Sequence, residues 1–426
     1  MGAEGNGNGA SADNDFHPAP VWLTESYLEP ILQRSRKDNS LHIVNLDIKP
    51  ATAKGDNYAS IMTRVKVDYT LNDAQQMKSE FFIVKTTYEY DPFISNIFAG
   101  YQASQTEMML YDKILPQLSE LLEQTELAEK LFAQTLHVDY ERSAIIFEDL
   151  AVDNYVLGNR LTGFDLEHTK LALRKLAKMH ATSAVFNERQ PDLLTKLDHG
   201  IFNNHSRGFS PMFEGFVEVA AEFAGSCPEL GSVYQQKLQR LQKHIMRLSE
   251  KVYEPQPNEF NILTHGDFWT NNIMLRKQTA DQPLDMLLID FQFAAWASPA
   301  VDLHYFLNTS LETEVRMAEH DALIQYYHSV LVQTLRALNF TGHIPTLRQL
   351  RLQIEKGGFM AVTATLTCQA IMLNDETADA DFNSLMKVDE RARNFKRTAY
   401  KNKRLQGILK QLLPVYDHCG LLDLEP

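Results

Sequence analysis

Two short apolar runs, Ile273-Met274-Leu275 and Met286-Leu287-Leu288-Ile289, are separated by a polar stretch containing Pro283. Runs this short, bounded by turn residues, read as strands rather than helices, and two of them across a turn read as a hairpin. A hairpin returns the chain to its start, so Asn272 and Asp290, at its two feet, come to one point. Immediately upstream, His265-Gly266-Asp267-Phe268-Trp269-Thr270-Asn271-Asn272 adds a second carboxylate, Asp267, five residues before the Asn. Any fold available to this chain has to gather an Asp, an Asn and another Asp at the open end of that hairpin.

Three side chains of this kind suit a reaction that needs both a cation and a positioned hydroxyl. Moving a γ-phosphoryl group requires an acceptor held in line and metal ions, held by hard oxygen ligands, to neutralise charge spreading over the phosphate. Asn272 and Asp290 fit as Mg2+ ligands, and Asp267 fits as the base that orients the hydroxyl and takes its proton. Protein kinases place a catalytic Asp, an Asn five residues later and a metal-binding Asp in this same order. His265 reads as a brace for the loop. Taken singly, Asp267 is a turn residue and Asp290 a strand end; the ordered set, with a hairpin inside it, points to phosphoryl transfer from ATP.

From Trp22 to about Leu150 the pattern is of strands with one interposed helix. Ile61, Thr63, Val65, Val67, Tyr69 and Leu71 alternate with Met62, Arg64, Lys66, Asp68 and Thr70, the period of a half-buried strand. His42 to Ile48 makes its partner, and Pro50 to Ser60 the turn between them. Gly55 in that turn lets the backbone approach a phosphate, and Ser60 or nearby amides can donate to it; a plain hairpin turn fits the same residues. Ser79 to Thr87 is a third strand, with Phe81, Ile83 and Lys85 on one face, where a lysine has to be paired to be buried. A helix from about Ile94 to Leu115 offers Glu107, with Met108, Tyr111 and Leu115 on helical spacing. Lys85 also fits an exposed edge strand, and Glu107 a solvated helix face. Phe132 to Tyr140 and Ser143 to Phe147 form a further strand pair, which the chain leaves at Glu148-Asp149-Leu150.

Beyond Leu150 the pattern becomes helical. Leu166, Leu173, Leu176, Met179 and Val185 mark an amphipathic helix starting near Thr162 to Asp165, a Thr and an Asp three apart as in a capping box; His180 in it reads as structural. Residues 228–252, 318–338, 345–374 and 388–413 are further helical stretches, and 357–374 reads as a buried core helix, too short and too Thr-rich to span a bilayer. Asp302 fits equally a helix N-cap and a brace for the loop at 265. Asp375, Glu376, Asp379 and Asp381 read as an exposed acidic loop.

Composition closes off other classes. With 426 residues, 44% hydrophobic, the chain is globular and large enough for two lobes. A formal net charge of −14 disfavours a nucleic-acid or anionic-membrane surface. The three cysteines, Cys227, Cys368 and Cys419, are too few and scattered for a disulfide framework or a zinc site and fit a reducing, cytoplasmic compartment. Residues 1–20, rich in Gly, Asn, Ala and Asp, read as a disordered tail without a secretory signal.

With Trp269 inside the His265 motif and Asp290-Phe291-Gln292 closing it, the chain resembles the ecdysteroid kinase-like (CHK kinase-like) family of the aminoglycoside phosphotransferase and choline kinase superfamily. Gly55-Asp56-Asn57-Tyr58-Ala59-Ser60 resembles its nucleotide loop, Phe82-Ile83-Val84-Lys85 its lysine strand and Glu107 its helix glutamate. Phe147-Glu148-Asp149-Leu150 resembles its hinge, and Leu176-Ala177-Lys178-Met179-His180-Ala181 the helix after it. The resemblance implies an α+β, bilobal protein-kinase-like fold. A small β-rich N-lobe over 21–148 would bind nucleotide, and a larger, mainly helical C-lobe over 149–426 would carry catalysis and the acceptor. It implies ATP and Mg2+ as cofactors, with Gly55, Asn57 and Ser60 covering the phosphates and Lys85 with Glu107 clamping them. The backbone at Glu148 to Leu150 would meet adenine, Asp267 would be the catalytic carboxylate, and Asn272 and Asp290 would hold the metal.

The implied acceptor is a small-molecule hydroxyl, on an ecdysteroid-like or other hydroxylated hydrophobic compound. A protein substrate is disfavoured, because no Ala-Pro-Glu segment follows Asp290. A choline- or aminoglycoside-type kinase, a xenobiotic-detoxifying kinase and a non-catalytic nucleotide or ligand binder are the alternatives. The full set Lys85, Glu107, Asp267, Asn272 and Asp290 argues against the last, which has no chemical need for all five.

Overall fold

The computed structural model describes residues 19–51, 60–72, 77–87, 99–205, 207–280, 282–374, 385–386 and 389–424. Gly55, Asn57, the acidic residues between 375 and 381 and nearly all of the N-terminal tail lie outside these. The chain divides into two compact units, residues 1–88 and 89–426. The architecture is α+β, with antiparallel strands towards the N-terminus and a mainly helical remainder. The lobe boundary expected at residue 148 falls within the second unit.

The first unit begins with a helix, α1 (Glu25–Arg36), where the sequence reading expected only strands. Pro30 inside it hid the signal, yet Leu28, Ile31 and Leu32 recur at helical spacing and are its buried face. Three antiparallel strands follow, β1 (His42–Pro50), β2 (Ser60–Thr70) and β3 (Lys78–Thr87). Thr63, Val65, Val67 and Tyr69 of β2 are buried, as their alternation requires. In β3 the buried apolar residues are Phe82 and Val84, while Phe81 and Ile83 are half-buried. The register explains this difference: Phe82 lies opposite Val65 and Val84 opposite Thr63, so they share the face of β2 that is already buried.

In the second unit, α2 (Ala103–Met109) runs through a π-helical turn at Leu110–Ile114 into α3 (Leu115–Glu123), further than the sequence reading took it. A hairpin of β4 (Thr135–Asp139) and β5 (Ala144–Glu148) and a short β6 (Tyr155–Leu157) precede α4 (Leu166–Arg189). The α4 cap is Asp165, whose carboxylate accepts the His168 N–H at 2.9 Å. Thr162 takes no part in it, its hydroxyl donating to Asn159 O. Helices α5 (Ser210–Ser226), unforeseen in the sequence, α6 (Gly231–Leu241) and α7 (Ile245–Tyr253) lead to β7 (Ile262–Leu263).

The expected hairpin is β8 (Ile273–Arg276) against β9 (Asp285–Leu288), with β6 along its other edge. A short β10 (Trp296–Ala297) pairs with β7. Then come α8 (Ala300–Thr309), α9 (His320–Ala337), α10 (Leu347–Lys356), α11 (Glu390–Ala399) and α12 (Lys403–His418). Between α10 and α11 the helical run Phe359–Met372, interrupted by a π turn at Ala364–Cys368, is buried almost throughout. No described helix is long and apolar enough to cross a membrane.

A buried ion network fixes the hairpin to the helical core. Lys175 of α4, 1% exposed, reaches Asp285 of β9 at 2.7 Å, Glu129 at 3.0 Å and the Lys130 carbonyl at 2.7 Å. Burial alone would raise the Glu129 and Asp285 carboxyls, but the lysine beside them holds both below the usual carboxylate range. Tyr155 of β6 completes the arrangement by donating to Asp285 at 2.6 Å.

Candidate active site

The loop from His265 to Asn272 connects β7 to β8, and its shape is set by Gly266. This residue has φ +81°, and a Cβ there would lie 1.8 Å from the Phe293 carbonyl oxygen, a backbone atom that cannot rotate away. Only glycine fits. The next N–H groups up the loop are claimed by Asp302 of α8, which is fully buried. His265 N donates to its Oδ2 at 2.7 Å and Gly266 N to its Oδ1 at 2.9 Å. His180 of α4 also meets Oδ2, at 3.0 Å through Nε2, and its Nδ1 meets the Tyr327 hydroxyl at 2.7 Å. Asp302 is therefore the loop brace; the N-cap of α8 is Pro299.

These contacts present Asp267. Its Oδ1 accepts the Tyr305 hydroxyl at 2.7 Å, and Asn272 Nδ2 donates to both its Oδ2 and its main-chain oxygen at 2.8 Å. Partial burial pushes the Asp267 carboxyl up to about 7, and the Asp290 charge adds to this, while hydrogen bonds from Tyr305, Asn272 and Trp269 pull it down. Asn272 commits its amide nitrogen to the loop, so its side-chain oxygen takes no part in holding Asp267. The Thr270–Asn272 turn is tied to the end of α8 by Thr270 N to Ser310 Oγ, 3.2 Å.

Asp290 is brought to the same place by its neighbour. Ile289 N donates to Asn272 O at 3.1 Å, and Ile289 O accepts His265 Nε2 at 2.9 Å. Held from both sides, the chain turns at Asp290 with φ +66°, a left-handed conformation that Asp tolerates better than most residues and that marks functional turns. The His265 ring is buried, burial holds its pKa below the usual value, and it packs on Phe291 with ring centres 4.5 Å apart. Phe291 in turn meets Tyr111 and Phe132 edge-on, and Tyr111 meets Phe147. The residue after Asp290 thus anchors in an aromatic cluster reaching β5.

The other residues singled out in the sequence are placed as follows. Glu107, on α2, is 4% exposed, and its charge is felt at Tyr111. Glu148 closes β5; its carboxylate takes the Gln134 N–H and the Lys130 ammonium, both at 2.6 Å, and its own N–H donates to Gln134 O. Leu150 is buried at the start of a 3-10 turn capped by Asp149. In the first unit, Lys85 is 8% exposed on β3, opposite Met62, and Ser60 is buried at the first position of β2. Asp267, Asn272, Asp290, His265 and Asp302 form one connected assembly within the second unit.

Sequence reasoning missed Tyr305 and Tyr253, whose hydroxyl donates to Gly266 O at 3.3 Å. Tyr305 had a signal: it stands three residues after Asp302, on the same face of a helix, and so faces the same loop.

No curated protein sequence matches the chain significantly. Among solved structures, a glucosamine kinase is similar at 14% identity over 93% of this chain and 82% of its own, with a TM-score of 0.28. The same figures hold for its complex with glucosamine, ADP and inorganic phosphate, and another crystal form gives 12% identity, 93% and 80% coverage and a TM-score of 0.27. Residues 54–340 match the model of the ecdysteroid kinase-like family. That span is more than half of the chain and contains the whole assembly around Asp267, so the chain belongs to the ecdysteroid kinase-like family and is a small-molecule kinase.

Proposed function

We propose that this chain catalyses ATP- and Mg2+-dependent phosphorylation of a hydroxyl on a hydrophobic small molecule of the ecdysteroid type. The observation that carries the reading is the Asp267 carboxylate, fixed by Tyr305 and Asn272 beside a turn that brings Asp290 to the same loop. The donor chemistry fits a magnesium ion, since the side-chain oxygen of Asn272 and the carboxylate of Asp290 are hard ligands. When bound, ATP and Mg2+ would supply the phosphoryl group and neutralise the charge that develops on it.

The protein's own part is positioning. Asp267 would accept a hydrogen bond from the acceptor hydroxyl, hold its oxygen in line and take its proton. A carboxyl drawn upward by burial is a better base than an exposed one, and a cation beside Asp290 would offset part of that rise. Tyr305 and Asn272 restrict the rotation of the carboxylate. Asp302 holds the main chain of the loop in place while the proton moves. Half-buried Trp269 and Phe293, packed against the helical core, support a hydrophobic acceptor near this carboxylate. The family name points the same way.

The test is incubation of the purified protein with γ-labelled ATP, Mg2+ and a panel of ecdysteroids, choline, aminoglycosides and plant glycosides, with Asp267→Asn as control. Label in an ecdysteroid from the wild type, and none from the variant, is the expected result. Label in choline or an aminoglycoside alone would overturn the acceptor class. Full activity in Asp267→Asn would overturn the site.

A further inference from the structure

The segment between α4 and α5 holds an arrangement that the phosphotransfer reading does not use. Asp198, His199 and His205 each present one ligand atom, and these atoms lie within 4.8 Å of one another. The two imidazole rings are stacked, 4.4 Å between centres and 9° from parallel. His199 Nδ1 lies 2.5 Å from Asp198 Oδ1, and His205 Nε2 lies 3.4 Å from Asp198 Oδ2. Two nitrogens therefore converge on one carboxylate.

The loop carrying them is built to hold this shape. Asn203, buried, donates from Nδ2 to Gly200 O at 2.6 Å and accepts the His205 N–H at 2.8 Å, which closes the turn between the histidines. Tyr101 donates to Ile201 O at 2.8 Å, and Trp296 N donates to Leu197 O at 2.7 Å. Gly200 is pressed against Tyr253, where a Cβ would lie 2.2 Å from the ring. The loop is thus pinned just before Asp198 and between the two histidines.

We propose that Asp198, His199 and His205 form a binding site for a borderline divalent cation, with Zn2+ the best match. Two imidazoles and one carboxylate suit Zn2+, Co2+, Ni2+ and Cu2+, whereas Mg2+ takes oxygen ligands in a near-octahedral shell. Zinc with three protein ligands keeps a water as the fourth. Tetrahedral ligands at about 2 Å from the metal stand roughly 3.4 Å apart, so the 2.5 Å pair has to open and the wider spacings to close, both by rotation of the exposed Asp198 and His205 side chains. Occupancy would clip together a loop whose Gly200 packs on Tyr253, the residue that donates to Gly266 O. The role is structural, a clip beside the loop that carries Asp267.

The experiment uses the full chain, stripped with chelator and titrated with Co2+ in the absence of nucleotide and Mg2+, so its outcome is independent of phosphotransfer. Expected are one equivalent of Co2+ with visible d–d absorption and no thiolate charge-transfer band, displacement by Zn2+, and a raised thermal midpoint. His199→Gln and, separately, His205→Gln should weaken binding at least ~10-fold, with metal-free melts matching the wild type. Asp198→Asn, at an exposed position, provides a second check should a histidine variant fold poorly. Absence of saturable binding, undiminished binding in these variants, a thiolate band from a cysteine site, or displacement of Co2+ by equimolar Mg2+ would each overturn the proposal.

Discussion

Asp302→Asn should disable the catalytic loop without touching any group proposed to meet substrate. Both oxygens of Asp302 are occupied, Oδ1 by Gly266 N and Oδ2 by His265 N and His180 Nε2. An asparagine has one acceptor end, so its amide nitrogen has to face at least one of these donors. The least costly orientation turns it towards Gly266, leaving two buried N–H groups opposed, each costing about 1–3 kcal/mol. The two contacts kept at the other end change from charge-assisted to neutral, losing roughly half their strength. Together the loss is at least about 4 kcal/mol, in the range found on breaking buried charged networks. The opposed donors also push Gly266 away, and a shift of about 1 Å at the adjacent Asp267 costs on the order of 100-fold in rate. The assay is urea denaturation followed by tryptophan fluorescence, since Trp269 and Trp296 both lie in the second unit, paired with kcat on the acceptor that the labelling panel identifies. Tyr327→Phe is the control: it removes only the partner of His180 Nδ1 and should cost about 1 kcal/mol with activity retained. A loss below about 1 kcal/mol in Asp302→Asn, with kcat near wild type, would refute the reasoning.

Gly266→Ala, at φ +81° against the Phe293 carbonyl, should cost at least ~2 kcal/mol and about 100-fold in activity. Gly407→Ala, in a helix with open space around it, should be neutral or stabilise by about 0.5–1 kcal/mol; equal thermal shifts in the two would sink this account. Burial pushes His304 down to about 4, so below its ordinary value of 6.5 the unfolded chain takes up a proton that the folded chain refuses. Its contribution is full above pH 6.5 and falls as pH drops towards 4. Wild type should lose about 2 kcal/mol more than His304→Leu between pH 7 and pH 5, and parallel urea midpoints would count against it. Lys175→Met removes the buried cation shared by Asp285 and Glu129, although Glu129 keeps Lys178 and Arg174 and Asp285 keeps the Tyr155 hydroxyl, and should cost about 3 kcal/mol, read as a fall in Tm of roughly 5 °C; an unchanged Tm would show that the network is not structural. For Lys85→Ala, the role implied by the family resemblance predicts a drop of about 100-fold in kcat/KM for ATP, and unchanged ATP kinetics would remove Lys85 from the site.

Where sequence and structure agree, the reason is local. The alternation of residues 61–71 and the apolar runs around Pro283 carry their own geometry, because a period of two and a short run between turns leave few other conformations. Where they part, a non-local or masking effect intervenes. Pro30 hid α1, although Leu28, Ile31 and Leu32 kept their spacing. The buried face of β3 depends on its register against β2, which no window on β3 alone contains. The start of α4 lies at Asp165, within the expected range, but the capping box with Thr162 is not formed: both residues suit a cap, and the chain before Asp165 is held instead by Ser310, whose carbonyl accepts the Phe164 N–H.

The site shows the same division at the level of chemistry. Residues whose type is dictated by what they hold, such as Asp267, Asn272 and Asp290, stand out because hard oxygen ligands in order are uncommon by chance. Residues that hold those residues do not stand out, since a tyrosine such as Tyr305 or Tyr253 is equally at home in a core. Asp302 lies between the two kinds. Its burial next to a loop is costly unless every lone pair is used, and in this fold the loop supplies two backbone N–H groups and α4 supplies an imidazole. The carboxylate and the loop therefore specify one another: without Asp302 the N–H groups of His265 and Gly266 are buried orphans, and without the loop the charge has no place in the core. The braced main chain rather than the motif residues alone is what turns a series of polar side chains into a fixed constellation, and this is why a substitution remote from substrate is expected to act on kcat.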